Sequence, residues 1–114
     1  MAKLGRLRRR ADFERVRSAR DAVSLKSMLA FRVRGETDET RVGISVIRRT
    51  GNAVVRNRIR RRLRAAFAAE LDPTLGPLDI VAVGRPGAVD LPYADLRRHC
   101  QRVFSARLRS RAGR

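Results

Sequence analysis

Residues 51–71 read GNAVVRNRIRRRLRAAFAAEL, and this stretch decides the fold. Asn52 is a good helix N-cap, because its side-chain oxygen can accept from a free amide of the first turn, and it predicts a helix from Ala53 to Leu71. At 100° per residue one side of this helix is an apolar stripe: Val55, Ile59, Leu63, Ala66 and Phe67. The other side carries one amide and a row of guanidinium groups: Asn57, Arg58, Arg60, Arg61 and Arg64. The helix is therefore expected to pack through one side and to present positive charge on the other.

The flanking segments predict further helices and strands. The helices expected on either side of the central one run from Ala11 to Ala19 and from Tyr93 to Leu108. Alternating apolar residues predict strands over Val23–Val33 and Arg41–Ile47. The polar turn between these strands favours an antiparallel hairpin. The continuous apolar run Ile80–Val83 predicts a strand that is buried on both faces.

This order of elements predicts a single-domain α+β sandwich over residues 1–108, followed by a basic tail over 109–114 that we expect to be disordered. If the strands before and after the central helix are parallel, their connection would normally be right-handed. The whole chain has 114 residues, which suits one domain.

Composition excludes several classes of protein. The longest stretches without a charge run to about six residues, well short of the roughly 20 that a membrane-spanning helix needs. The amino terminus has no apolar run of a secretory signal, so we predict a cytoplasmic protein. One cysteine and one histidine exclude an internal disulfide and a structural zinc cluster. His99 and Cys100 point about 100° apart on a helix, so they do not form a nucleophile and base pair.

The formal net charge of +17 is concentrated in three blocks. Residues 1–20 hold eight basic and two acidic residues, 48–64 hold eight arginines and no acid, and 97–114 hold seven arginines and no acid. The remainder is mildly acidic. Although a composition bias of the host would also enrich arginine, segregation into blocks favours one or two binding faces for a polyanion, most often nucleic acid.

The stretch Gly51-Asn-Ala-Val-Val-Arg-Asn-Arg58 resembles the signature of the protein subunit of bacterial ribonuclease P. The resemblance extends in order along nearly the whole chain, through Arg10-Ala-Asp-Phe13, Arg41-Val-Gly-Ile-Ser-Val46, Arg48-Arg49 and Arg85-Pro86. It implies an αβββαβα fold, similar to the second domain of the fifth small-subunit ribosomal protein, with an unusual left-handed βαβ crossover.

The resemblance also implies a function. Ribonuclease P is an endoribonuclease that removes the 5′ leader from precursor tRNA, and its RNA subunit performs the Mg²⁺-dependent hydrolysis. The protein subunit would have no catalytic residue, bind no metal or cofactor itself, and broaden substrate specificity. Its expected partners are the catalytic RNA and the leader of precursor tRNA, with no membrane or DNA partner.

Carried over position by position, the resemblance assigns two sets of binding residues. Those expected to contact the catalytic RNA are Arg49, Arg56, Asn57, Arg58, Arg60 and Arg61. Those expected to contact the leader are Phe13, Arg17, Phe31 and Arg85. Many members of the family have a second aromatic residue where this chain has Arg17, and a glycine where it has Arg20.

Other interpretations of the same residues remain open. Phe13 and Phe31 could be core anchors, and the arginine row could be a solvated helix face. A small ribosomal or other structural RNA-binding protein would need the same charge without a leader cleft. A DNA-binding module is disfavoured, because no helix precedes the arginine-rich helix at helix-turn-helix spacing.

Overall fold

The computed structural model describes residues 3–108, so the predicted disorder of the 109–114 tail lies outside the described residues. The strands are β1 (Gly5–Arg6), β2 (Ala22–Ser24), β3 (Met28–Arg34), β4 (Arg41–Val46) and β5 (Leu78–Gly84). The helices are α1 (Arg10–Ser18), α2 (Ala53–Glu70), α3 (Gly87–Asp90) and α4 (Tyr93–Ser105). Within the described part of the chain, no helix is both long and apolar enough to cross a membrane.

The five strands form one sheet in the order β1-β4-β5-β3-β2. Strand β5 lies at the centre, parallel to β4 and antiparallel to β3. This position explains its continuous apolar sequence, because a central strand covered by helices is buried on both faces. The α+β sandwich and the βαβ connection through α2 are confirmed, and the left hand of that connection stays an expectation from the family resemblance.

The predicted antiparallel hairpin between residues 23–33 and 41–47 is wrong. The first segment is two strands, β2 and β3, joined by a tight turn in which Leu25 and Met28 exchange backbone hydrogen bonds. These two strands pair with each other, and β5 lies between β3 and β4. Apolar alternation identifies a strand and its faces but not its partner. It therefore could not show that β5, which comes later in the sequence, pairs with both segments and lies between them.

Helix α2 begins as predicted. The Asn52 side chain accepts a hydrogen bond from the Val55 amide at 3.0 Å.

Two short elements were not predicted from the sequence. They are β1, which pairs with the edge of β4 through two residues, and the single turn of α3. Helix α4 ends at Ser105, three residues earlier than predicted.

Helices α2 and α4 cover one face of the sheet and enclose the main core. The predicted stripe of α2 lies there, with Ile59, Leu63, Ala66 and Phe67 fully buried and Val55 at the margin. The ring of Phe67 meets that of Phe104 edge to face at 5.7 Å between centroids. This burial leaves the arginine row of α2 outside the core.

Helix α1 covers the opposite face of the sheet with a smaller cluster. Val16 of α1 and Val81 of β5 are fully buried in it, and Phe13 and Phe31 pack at its edge. A thin cover of one short helix leaves part of this face open beside α1.

Candidate nucleic-acid interface

An open groove of about 840 Å³ passes the β1 edge of the sheet. Its apolar floor is formed by Leu7, Phe13, Ile44 and Val54. Its polar wall consists of one amide and five guanidinium groups: Asn57, Arg6, Arg8, Arg60, Arg61 and Arg64. With no acidic side chain in its lining, the groove suits a ligand that carries negative charge along an apolar body.

The polar side of α2 forms one wall of this groove. Asn57, Arg58 and Arg61 are exposed, and the Asn57 side chain accepts a hydrogen bond from Arg60 at 3.0 Å. Arg49 is exposed in the 3₁₀ turn just before the helix. The chain thus places five of the six residues expected at the catalytic RNA on one accessible surface.

Arg56, the sixth, is half-buried. Its guanidinium donates to the Gly51 carbonyl at 2.7 Å and to the Arg48 carbonyl at 3.4 Å. These bonds fix the turn that carries Arg49, so Arg56 supports the surface from below.

Two of the three basic blocks meet at the groove. Burial lowers the pKa of Arg64, and the nearby positive charges of Arg6 and Arg8 lower it further. Arg64 is held in place by a hydrogen bond to the Val42 carbonyl at 3.3 Å. Three like charges are thereby held close together, and no carboxylate of the groove lining offsets them. An anionic ligand would relieve the repulsion between them.

Phe13 lies on the α1 side of the same groove. Its ring sits directly on Gly43 of β4, where an added Cβ would lie 2.3 Å from the ring. One face of the ring therefore rests on backbone, and the ring also lines the groove. This geometry combines the two interpretations of Phe13: it is packed on the sheet and accessible at the same time.

Phe31 and Arg17 face each other beside α1. The Arg17 guanidinium carbon lies 5.8 Å from the centroid of the Phe31 ring, within the range of a cation–π contact. Phe31 is half-buried and Arg17 is exposed. Neither residue lines the large groove, so the two aromatic residues expected at the leader occupy separate positions around α1.

Arg85 directly follows β5, and its side chain is hydrogen-bonded within the fold. Its guanidinium donates to the Ser24 hydroxyl at 2.9 Å and to the Leu25 carbonyl at 2.8 Å. These bonds hold the turn between β2 and β3, which gives Arg85 a structural role that the sequence did not indicate.

Several other arginines form ion pairs with buried carboxylates. Asp79, with no exposed surface, accepts hydrogen bonds from Arg15 at 2.6 Å and from Arg41 at 2.9 and 3.0 Å. Burial favours the neutral acid, but these two guanidinium groups hold the pKa of Asp79 below its ordinary value. Arg32 and Asp21 form a second buried ion pair at 2.6 Å.

The described part of the third basic block, residues 97–108, lies mostly on α4, and none of its residues lines the groove. Arg97 pairs with Glu70 at 2.5 Å, and Arg98 pairs with Asp95. Part of the positive charge of this block is therefore neutralised. Among the described residues, the basic side chains that line the groove come from the first two blocks.

Arg6, Arg8 and Arg64 line the groove but were not among the predicted site residues. The signal was present in the charge blocks, since Arg6 and Arg8 belong to the first and Arg64 to the second. Their meeting depends on β1, whose two residues are too short to be recognised from periodicity.

Cys100 and His99 are both engaged within the fold. Cys100 is fully buried, and burial raises the pKa of its thiol. The nearby His99 bonds the buried Ser27 hydroxyl through Nδ1 at 2.7 Å. Within residues 3–108, no three His, Cys, Asp or Glu side chains form a group that could hold a metal ion.

Comparison with known proteins matches this chain to one family. The family model described as Ribonuclease P matches residues 1–107. A ribonuclease P protein component from Brucella melitensis biotype 1 is 36% identical, covering 95% of this chain and 83% of the relative. One from Bacillus velezensis is 32% identical, covering 91% of this chain and 90% of the relative.

Solved structures agree. The ribonuclease P protein of Staphylococcus aureus superposes with a TM-score of 0.72 at 27% identity, covering 90% of this chain and 97% of that one. The corresponding protein of Thermotoga maritima, at 23% identity, also superposes with a TM-score of 0.72, covering 87% of this chain and 94% of that one, and supports the fold. The chain belongs to the family of bacterial ribonuclease P protein components, the protein subunits of an endoribonuclease holoenzyme.

Proposed function

We propose that this chain binds the catalytic RNA of ribonuclease P through the polar side of α2 and the 5′ leader of precursor tRNA through the α1 side of the sheet. The observation that carries the proposal is the acid-free groove, which continues from the α2 arginines to Phe13. One small domain thus offers adjacent surfaces to two RNA strands.

The α2 surface suits a folded RNA. A helix packed on the core by its opposite side holds its guanidinium groups at fixed spacing, and each planar fork can donate to two phosphate oxygens. Asn57 between them can bond a base edge or a ribose hydroxyl. Arg49, Arg58, Arg60 and Arg61 would supply most of the contacts, with Arg56 holding the turn.

The α1 side suits a single strand of variable sequence. Phe13 offers a ring seated on backbone, and stacking on a ring tolerates any base because every base has a π-face. Phe31 with Arg17 would offer a second stacking surface, and Arg85 would stand at the rim while holding its turn. Such contacts let one protein accept leaders of many sequences.

Within the described range, no three His, Cys, Asp or Glu side chains form a group that could hold a metal ion. We assign the Mg²⁺-dependent hydrolysis to the RNA subunit, as the resemblance to the family implies. The role of this chain is to bind, to orient the leader, and to neutralise phosphates around the RNA.

Reconstitution tests the proposal as a whole. The protein is added to bacterial ribonuclease P RNA with a precursor tRNA at low Mg²⁺, and cleavage at the mature 5′ end is followed. We expect strong stimulation over RNA alone. Lack of stimulation at every protein concentration would overturn the proposal.

Two variants separate the surfaces. Arg58→Ala should weaken assembly with the catalytic RNA, and unchanged assembly would count against the α2 surface.

Phe13→Ala should reduce affinity for precursor tRNA by about tenfold, the effect of losing one stacked base. An equal loss for mature tRNA would show that Phe13 does not bind the leader.

A further inference from the structure

Arg20 has a backbone conformation that its side chain does not favour. It follows α1, and among residues 3–108 it alone combines a side chain with a positive φ, of 58°. The position after a helix end commonly adopts this conformation, usually with glycine, because a Cβ is strained there. The fold therefore accepts glycine at this position more easily than arginine.

The turn around Arg20 is fixed from both sides. Its amide donates to the Arg17 carbonyl at 3.1 Å, which closes the end of α1. The next residue, Asp21, is buried and bound to Arg32. The Arg20 side chain is consequently presented from a rigid backbone.

The side chain of Arg20 is itself available. It is exposed, and within the described residues it makes no hydrogen bond or ion pair. In contrast, α1 uses Arg10 and Arg15 to bind carboxylates. A strained position that keeps an unpaired guanidinium suggests a ligand outside the chain.

Arg17 lies one turn before Arg20 and contacts Phe31. Phe31 pairs in register with Ala22, two residues after Arg20. Arg17 with the Phe31 ring, and Arg20 three residues later, are therefore both found at the end of α1. Within the described residues, neither guanidinium is paired with a carboxylate. A ring for a base and guanidinium groups for phosphates are the elements that bind single-stranded nucleic acid.

We propose that Arg20 and Arg17 form a phosphate-binding pair for the leader at the end of α1. This proposal rests on the proposed binding of the leader to the α1 side of the sheet. It adds Arg20 as a residue that binds the phosphate backbone of the leader. It predicts that leader binding by this chain depends on charge as well as on stacking, and hence on salt.

The variant Arg20→Gly tests the pair without removing anything the fold needs. Holoenzyme is reconstituted with bacterial ribonuclease P RNA, and the Kd for precursor and mature tRNA is measured across a salt series. We expect about fivefold weaker binding of precursor tRNA, the size of one exposed charged contact, and no change for mature tRNA. The slope of log K against log salt should fall by about 0.7, the value for one phosphate of a single strand.

Stability and a matched arginine serve as controls. The Tm of Arg20→Gly should equal or exceed that of the wild type, because the backbone strain is relieved. Arg20→Lys should restore most of the affinity. Arg102→Ala removes an exposed arginine of α4 and should leave the Kd for precursor tRNA unchanged.

Three results would overturn the pair. One is a wild-type Kd and salt slope for Arg20→Gly when Phe13→Ala still loses leader affinity, which leaves the proposed function intact. Another is an equal loss of precursor and mature tRNA binding. The third is an equal loss in Arg102→Ala, which would make the effect one of overall charge. Leader-independent binding in every variant, Phe13→Ala included, would instead reject the proposed leader site itself.

Discussion

Gly43 lies directly beneath the ring of Phe13 and allows it to rest on β4. An added Cβ would come within 2.3 Å of the ring's Cζ, closer than any real contact. The ring has backbone on one side and the groove on the other, so its position depends on the absence of a side chain at residue 43.

We therefore expect Gly43→Ala to displace the Phe13 ring and to mimic Phe13→Ala in holoenzyme binding. Affinity for precursor tRNA should fall about tenfold, with a loss of about 1–3 kcal/mol in the free energy of unfolding from overpacking. The Kd for precursor and mature tRNA and urea unfolding measure the two effects. Ser45→Ala, on the same face of β4, is the control and should bind as the wild type does. Unchanged leader affinity in Gly43→Ala would show that leader binding does not require the Phe13 ring to rest on Gly43.

Asp79 shows why single arginines could not be assigned from the sequence. Arg15 and Arg17 are both basic residues of the same short helix, yet Arg15 binds buried Asp79 and Arg17 faces Phe31. Asp79 directly precedes the apolar run Ile80–Val83, and only the fold reveals that this residue of β5 binds arginines of α1 and β4. Such partners are distant in the sequence and leave no periodic signal.

The buried carboxylate gives the fold an acid-sensitive point. Because the pKa of Asp79 is lower in the folded than in the unfolded protein, its contribution to stability is complete above about pH 4 and is lost as the pH falls below that value. Asp79→Asn should destabilise the protein by about 3 kcal/mol at pH 7, since two guanidinium groups lose their partner. Its unfolding free energy should then change less between pH 5 and pH 3 than that of the wild type. Urea unfolding across this range checks both, and parallel pH profiles would contradict the assignment.

At the scale of elements, helix α2 was predictable and the sheet was not. The cap at Asn52, the apolar stripe and the polar side all depend on neighbours within one or two turns, so they can be predicted from the local sequence. Strand order instead depends on β5, which pairs with β3 and β4 from more than 30 residues away. The residues of the proposed catalytic-RNA surface on α2 could thus be named from the sequence. The groove could not, because it depends on β1, which brings the first basic block beside α2.

Helix α2 also has two adjacent arginines with opposite roles. Arg61 is exposed in the groove, whereas Arg62 donates to the carbonyls of Ala88, Val89 and Leu91 at 2.7, 2.9 and 2.7 Å and so closes the end of α3. A substitution at each position removes the same charge from the same helix. The pair therefore separates RNA binding from stability.

We expect Arg61→Ala to weaken binding of the catalytic RNA and to lower the salt slope by about 0.7–0.9 without lowering the Tm. Arg62→Ala should lower the free energy of unfolding by about 1–2 kcal/mol, because three carbonyls lose a charged donor, while RNA affinity at a temperature where the protein is folded stays near wild type. Filter binding and thermal unfolding measure both. A reversal of the two phenotypes, or equal phenotypes, would contradict the orientation of α2.

At the scale of the whole molecule, the +17 charge is distributed unevenly. Carboxylates neutralise arginines in the interior, along α1 and on α4, while the groove between β1 and α2 has none in its lining. The described chain extends 39 by 28 by 21 Å, so charges at the groove lie within a few Debye lengths of every other charge at low salt. The free protein is therefore under electrostatic repulsion that its RNA partners would relieve.

This repulsion predicts that salt stabilises the free protein, the reverse of what a surface held by ion pairs would show. Between about 0.05 and 0.5 M NaCl, screening should raise the Tm by roughly 4 °C, corresponding to about 1 kcal/mol. Sulfate at equal ionic strength should raise it further, because a divalent anion can bind between Arg6, Arg8 and Arg64. The variant Arg8→Gln should start from a higher Tm at low salt and gain less from sulfate. Differential scanning fluorimetry measures the Tm of both proteins in each salt. A Tm that falls steadily with salt, or an equal sulfate effect in Arg8→Gln, would show that the groove charges do not limit stability.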